Sequence, residues 1–373
     1  MTIRIPRDKH SISLKLNYEN LILSLAVVYF LNSIYLVTTN ETLAFILDVA
    51  QAAFLLGVGV VFTFQRVSRN NMLLRLLIIA VFAMSTLSSG VFPYLKYGLI
   101  MLAGIHSNWH RIYRRLFHLY FWGILLVVLL GWLGILPSDT VRRGYSTYGF
   151  VHSNILALYC LSTLSCFVLI NQQCFRLKHY VASCIIIFTA WQLTDSRTAL
   201  ISMLFLMFLL IIGKKVPVIV ARNSFGYFLA LIFPVVLLFV SYQLGRNFNS
   251  DMPLISEIDL IVNGRLQMAN KFMNVLSIPA FGQEVTMTLV ENAYLTGLYH
   301  FGLIPTILEL CVYIYAIKKS MDNRSYTCLA CLLALALHGL AEPATFDPFY
   351  NVALLSVFSR KGFSGTAKQG VSL

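Results

Sequence analysis

A few polar groupings interrupt a sequence that is otherwise apolar, and any chemistry must come from them. His152 and Asn154 close the run Gly149-Phe-Val-His-Ser-Asn, Asp195 leads into Ser196 and Arg197, and Arg142 and Arg143 stand side by side. Arg265 follows Gly264, Glu291 and Asn292 open an apolar run that includes Tyr294, and His338 and Glu342 are four residues apart. Guanidinium groups present planar forks that match phosphate oxygens. A carboxylate or imidazole held beside a hydroxyl is a general base. Together these residue types suit a ligand with a phosphate head and a hydroxyl to be activated.

Each grouping also has a purely structural role open to it. His152 is suited to capping a helix, and Asp195 with Arg197 to a turn between antiparallel helices. Glu291 is suited to the positive end of a helix dipole, which favours a carboxylate by about 0.3 to 1 kcal/mol. His338 and Glu342 share a helix face and can pair with each other. Arg142 and Arg143 fit an exposed loop. No Walker, GxGxxG, HExxH or DxD-like pattern is present, so ATP-driven transport and sugar-nucleotide chemistry have no support in the sequence, and neither a metal nor a cofactor is expected.

The elements that position these groups are set by composition. Of 373 residues, 58% are hydrophobic and 12% charged, with a mean hydropathy of +0.76, whereas soluble domains are about a quarter charged. The sequence predicts an all-α polytopic membrane protein, because a bilayer core of about 30 Å needs about 20 apolar residues per helix. About twelve spans are expected, near 20 to 37, 43 to 64, 72 to 89, 91 to 105, 117 to 136, 148 to 170, 179 to 195, 198 to 212, 224 to 243, 289 to 317, 325 to 342 and 345 to 359. Residues 1 to 19 form a polar cytoplasmic segment without the apolar core of a cleaved signal. Residues 20 to 359 form one transmembrane domain and 360 to 373 a cytoplasmic tail.

The net charge of +13 does not indicate nucleic acid. The basic residues are dispersed in short clusters between apolar runs rather than gathered on one face. With the N terminus inside, 21 of the 28 basic residues fall in the cytoplasm, in clusters such as Arg66, Arg69 and Arg75 or Lys318, Lys319 and Arg324. Six fall outside, namely Arg142, Arg143, Arg197, Arg246, Arg265 and Lys271, while Lys96 is expected to snorkel from the fourth span. Both termini are therefore expected in the cytoplasm. On this map every polar grouping lies toward the outer leaflet, which predicts one outward-facing polar cavity.

The long connection from 244 to 288 is expected outside. Leu260, Ile261, Leu266, Met268, Phe272, Val275 and Leu276 among charged residues predict an amphipathic helix on the outer membrane surface. The seven cysteines fall in spans or on the cytoplasmic side, and Cys328 and Cys331 are read as packing residues.

The run Gly149 to Asn154, then Asp195-Ser-Arg197-Thr-Ala-Leu, then Gly264-Arg265 with Pro279 and Gly282, then Glu291-Asn-Ala-Tyr294-Leu with Gly302, and finally His338 and Glu342, resembles the Wzy polysaccharide polymerases and the related O-antigen ligases. The similarity covers roughly 140 to 355. It implies a GT-C-like membrane glycosyltransferase, without metal or nucleotide sugar, in the bacterial cytoplasmic membrane. That enzyme would join oligosaccharide repeat units carried on undecaprenyl pyrophosphate, with a flippase and a chain-length regulator as pathway partners. Family pyrophosphate arginines correspond to Arg265 and Arg197, with Arg142 and Arg143 as helpers. Glu291 is the first choice of base and His338 the second, while His152, Asn154, Asp195, Asn292, Tyr294 and Glu342 complete the substrate site. The ligase branch has His where this chain has Glu291, which directs the reading toward polymerisation. The alternatives are a ligase, or a transporter or flippase of lipid-linked sugars. Transport would require midplane sites, broken helices and paired repeats.

Overall fold

The computed structural model describes residues 18–63, 69–104, 107–138, 146–172, 175–213, 224–249, 252–261, 264–285, 291–343 and 346–358. The first part of the chain forms α1 (Tyr18–Leu31), α2 (Tyr35–Thr39), α3 (Glu41–Thr63), α4 (Arg69–Ser89), α5 (Pro93–Ala103), α6 (Trp109–Trp132), α7 (Ser153–Ile170) and α8 (Leu177–Thr194). There follow α9 (Arg197–Gly213), α10 (Ser224–Arg246), α11 (Pro253–Ile261), α12 (Arg265–Val275), the single turn α13 (Ala293–Thr296), a π-turn (Gly297–Phe301), α14 (Leu303–Asp322), α15 (Tyr326–His338) and a 3₁₀ turn (Val352–Ser356). Among the described residues the one β feature is an isolated bridge between Ile34 and Phe150. The all-α expectation therefore holds. Among the described residues, five stretches are long and apolar enough to cross a membrane: Glu41–Thr63, Met72–Ser89, Trp109–Trp132, Ser153–Ile170 and Phe225–Arg246.

The described residues form two compact units interleaved in sequence. The first comprises those up to Leu73, those within Leu99–Arg197, and Phe358. Its helices start where short polar side chains satisfy free amides: Asn40 accepts from Leu43 N at 3.1 Å ahead of α3, and Asn108 accepts from Arg111 N at 3.3 Å ahead of α6. Helix α7 is buried at every residue from Leu156 to Cys166, as expected for a helix apolar on all sides. Two of its hydroxyls turn back onto the helix, Ser162 to Leu158 O at 2.8 Å and Thr163 to Tyr159 O at 2.7 Å. Phe30 and Tyr120 pack on Tyr159, with ring centroids 5.0 and 5.2 Å away.

The second unit comprises Leu74–Gly98 and the described residues of Thr198–Val357. Here the sequence expectation needs three corrections. The span expected over 289 to 317 is broken: one turn of α13 runs into the π-turn, Gly302 takes φ +100, and α14 restarts. At the break a Cβ on Gly302 would strike the backbone of Phe281 and Gly282, so the two chain segments cross at a distance only glycine permits.

No α-helix forms over the expected twelfth span, 345 to 359, among its described residues. Residues 346–358 are turns and the 3₁₀ segment, almost wholly buried, with Asp347 Oδ1 accepting from Phe349 N at 2.9 Å.

The third correction concerns the long loop. Its one expected surface helix is two helices, α11 and α12, with a corner at Gly264. The apolar face of α12 packs on protein, where Ala269 and Phe272 join Leu295, Leu298 and Tyr299 in one buried cluster. Lys96, expected to snorkel, is only 7% exposed, with Asp347 as a counter-charge.

The basic bias yields a direct test of orientation. In a background with the native cysteines replaced, a cysteine at Asn249 should react with an impermeant maleimide added to intact cells, and one at Asn323 should react only after lysis; both positions are exposed. The reverse pattern would invert the topology.

Candidate functional site

In the second unit, Arg265 is the hub. It is the first residue of α12 and is 7% exposed. The corner that launches it is fixed by Asp259, which lies at the end of α11. Its Oδ1 accepts from Leu266 N at 2.7 Å and Gln267 N at 3.3 Å, and its carbonyl accepts from Gly264 N at 2.8 Å. Asp259 thus supplies the cap that Gly264, with no side-chain oxygen, cannot. The guanidinium then reaches two carboxylates. Nε and Nη2 donate to Glu291 Oε2 at 3.0 and 2.6 Å, and Nη2 donates to Glu342 Oε1 at 2.8 Å.

Glu291 and Glu342 meet because their segments are sewn together. Ala293 N donates to Gly339 O at 2.9 Å, and Asn292 Nδ2 donates to Leu340 O at 2.9 Å and to Ser241 Oγ at 3.1 Å. The Asn292 Oδ1 accepts from Tyr294 N and Leu295 N at 3.0 and 3.1 Å, capping α13. Tyr294 is 0% exposed and its hydroxyl donates to Ala336 O at 2.8 Å. Asn292 and Tyr294, expected to position sugars, therefore have their polar atoms engaged inside the fold. They hold the Glu291 segment against α15.

The expected span 325 to 342 ends as a helix at His338, leaving Glu342 in the turn beyond it. The His338 side chain is 2% exposed; its Nδ1 lies 3.2 Å from Ser202 Oγ, and that hydroxyl donates to Thr198 O at 2.8 Å. Because Ser202 has one proton and gives it to Thr198, Nδ1 must be the donor toward Ser202, which leaves Nε2 as a bare lone pair. That atom is buried and has no hydrogen-bond partner among the described residues. Arg265 is within electrostatic reach of the ring.

The cluster is asymmetric in exposure. The side chains of Arg265 and Glu342 are 8% and 10% exposed, and that of Glu291 is 44% exposed. Burial raises the Glu342 carboxyl to about 7, opposed by Arg265 and reinforced by the Glu291 charge. Glu291 Oε2 accepts both bonds from Arg265, whereas Oε1 takes no hydrogen bond among the described residues, and the side chain is half-exposed. Arg265 is likewise not the free cation that the sequence reading expects: only Nη1 has no partner here among the described residues. An anion would bind at Nη1 or displace a carboxylate.

Other expected site residues belong to the first unit. His152 is exposed and caps α7, its Nδ1 accepting from Asn154 N at 3.0 Å, and Asn154 begins that helix half-buried. Asp195 ends α8 in a left-handed conformation, φ +46, and Arg197 is exposed at the first position of α9. Arg142 and Arg143 lie outside the described residues. The sequence reading did not select Asp259 or Ser202 as site residues. An aspartate five residues before a Gly-Arg helix start was a usable signal, whereas a serine in an apolar helix carries none.

Comparison with family models, with curated proteins and with solved structures gives no match.

The clamp predicts non-additive stability. Arg265→Met leaves the buried Glu342 carboxyl without its cation, so that it must either stay charged or take up a proton, and breaking a buried pair from one side costs about 3 to 5 kcal/mol. Adding Glu342→Gln should restore a large part of the loss. Thermal unfolding of the purified single and double variants measures this, and additive losses would mean that the pair does not interact.

Proposed function

We propose that the protein is a membrane glycosyltransferase that polymerises undecaprenyl-pyrophosphate-linked oligosaccharide repeat units at the outer face of the bacterial cytoplasmic membrane. The observation that carries this reading is the Arg265 clamp, a buried guanidinium whose Nη1 has no partner among the described residues, beside a half-exposed carboxylate. The resemblance of the motifs supplies the substrate class.

In this reaction the hydroxyl of one lipid-linked unit attacks the anomeric carbon of the growing chain. The bond from that carbon to the pyrophosphate oxygen breaks, and the lipid pyrophosphate leaves with the electron pair. Arg265 Nη1 stabilises charge on the leaving group where it develops. Glu291 Oε1 takes the hydroxyl proton. Arg265 holds the other oxygen of Glu291 in place, so the acceptor and leaving-group sites are fixed relative to each other. His338, on the helix whose following turn carries Glu342, is the second candidate base through Nε2. Arg197 is the second residue that the resemblance assigns to pyrophosphate. A flippase and a chain-length regulator are the proposed partners, and both termini are proposed to face the cytoplasm.

One observation favours a second reading. The break at the π-turn and Gly302 is the kind of discontinuity that transport of a lipid-linked sugar uses. Transport would leave the substrate's covalent structure unchanged, so product analysis separates the two.

With purified enzyme and lipid-linked substrate, Glu291→Gln should slow chain extension by about 10²- to 10⁴-fold. A loss below about tenfold would remove Glu291 as the base. The pH dependence also has a definite sign. Below about 7, Glu342 becomes neutral and competes less for the guanidinium, so KM for the lipid pyrophosphate substrate should fall several-fold from pH 8 to pH 6. Glu342→Gln should abolish that trend; its persistence in the variant would assign it to another group.

A further inference from the structure

Glu309 lies on α14, inside the span expected over 289 to 317, and is 4% exposed. Ionisable groups within membrane helices are expensive and mark proton or ion sites. Glu309 Oε2 is buried and has no hydrogen-bond partner among the described residues. The carboxyl bonds instead to the Tyr94 hydroxyl of α5, and Tyr94 bonds in turn to the hydroxyl of Thr306. Both partners are buried. Their oxygens converge on Gly297 in the π-turn, where a Cβ would lie 3.0 Å from Thr306 Oγ1 and 3.1 Å from Tyr94 Oη.

Counting protons fixes the state of the carboxyl. Thr306 has one hydroxyl proton and donates it to Gly302 O at 2.8 Å, an atom that only accepts. The bond between Thr306 and Tyr94 is then one that Tyr94 donates. That spends the single phenolic proton, so in the bond between Tyr94 and Glu309 the donor is the carboxyl. Glu309 therefore carries a proton, and a one-way chain of hydrogen bonds runs from it through Tyr94 and Thr306 to the carbonyl at the helix break.

The titratable groups on the neighbouring segments are engaged elsewhere. His300 of the π-turn bonds to the Ser89 backbone, and Lys96 of α5 has Asp347 as its counter-charge. Tyr313 of α14 donates to Leu332 O, His338 of α15 bonds to Ser202, and Arg246 of α10 donates to the Tyr242 hydroxyl. Among the described residues, Tyr94 is the one titratable group that acts on Glu309. A carboxylate at this position would have no cation to balance it and one oxygen without a donor, which a buried charge does not tolerate.

We propose that Glu309 is a proton-binding site whose occupancy is read at the Gly302 break. With the proton bound, the Thr306 hydroxyl holds Gly302 O. When the proton leaves, Tyr94 turns its hydroxyl to the carboxylate and Thr306 turns its own to Tyr94. Each hydroxyl keeps its proton, and only that of the acid is lost. Gly302 O then retains the Thr306 amide alone, at 3.1 Å. The adjoining amides of Leu303 and Ile304 tie down the loop exit at Pro279 and Ala280, so deprotonation loosens the attachment of the segment that carries Arg265. The inference does not depend on the glycosyltransferase reading.

The test uses infrared spectra of the purified full-length protein. At pH 7, wild type minus Glu309→Gln should show the carbonyl band of a protonated carboxyl; carboxylate bands in its place would overturn the proposal. Thr306→Val leaves Tyr94 able to donate to a carboxylate, so the proton affinity read from that band should fall at least about tenfold, the size of one hydrogen bond to a charged group. An unchanged midpoint would break the chain. Hydrogen exchange at Leu303 and Ile304, corrected for the intrinsic effect of pH, should rise as the band is lost and become independent of pH in Glu309→Gln. Persistence of that pH dependence in the variant would sever the link to the Gly302 break. Glutamine keeps a donor for Tyr94, so failure of Glu309→Gln to fold would mean that the charged form is required, and the proposal fails. Loss of the band on adding sodium ions at constant pH would make this a metal-cation site and also overturn it.

Discussion

A guanidinium that is almost fully buried is tolerable only when carboxylates come to it, and much of the second unit serves that requirement for Arg265. Desolvating an isolated cation costs several kcal/mol, and a carboxylate returns it only with good hydrogen-bond geometry. Here the return is made by two acids from segments 77 and 26 residues away in sequence. Asp259 sets the angle at which Arg265 enters, Asn292 fixes the chain that brings Glu291, and the turn after His338 delivers Glu342. If any of these three were misplaced, the charge would be stranded.

The same arrangement explains why the polar groups cluster beside a discontinuous stretch of chain rather than along a smooth helix. A continuous helix from 289 onward would spend the Ala293 amide within itself and could not donate it to Gly339 O. Ending α13 after one turn, passing through a π-turn and restarting at Leu303 frees backbone for partners in the loop, at Pro279, Ala280 and Gln283. π-Segments are recurrent at functional sites for this reason. The price is a pair of glycines where the segments cross.

The helical, membrane-type character was readable from apolar runs alone, because it depends on segment length and composition, which are local. The pairing of Arg265 with Glu291 and Glu342 was not, although all three residues stood out as polar interruptions; sequence marks who is expensive to bury and not who meets whom. The amphipathic pattern at 265 to 276 was real, but an apolar face reads the same against lipid as against Leu295, Leu298 and Tyr299. Residues 346 to 357 were apolar enough to suggest a crossing and are buried as irregular turns, tied in by Asp347 Oδ1, which accepts from Phe349 N, and by Asn351 Nδ2, which donates to the Tyr313 hydroxyl. Asn292 and Tyr294 were correctly singled out as unusual, yet their side chains are occupied in holding chain segments together.

The crossing of Gly282 and Gly302 has a mechanical side. Leu303 N and Ile304 N donate to Pro279 O and Ala280 O at 2.9 and 3.0 Å, and Gln283 N donates to His300 O at 3.0 Å. The exit of the long loop is thereby stapled to the first turn of α14, with its free helix amides capped by loop carbonyls. That end acts as a fixed anchor, like the clamped end of a cantilever. Any movement that draws Arg265 toward or away from its acids must bend α12 from its Gly264 end, because the Leu276 end cannot swing without peeling open the start of α14.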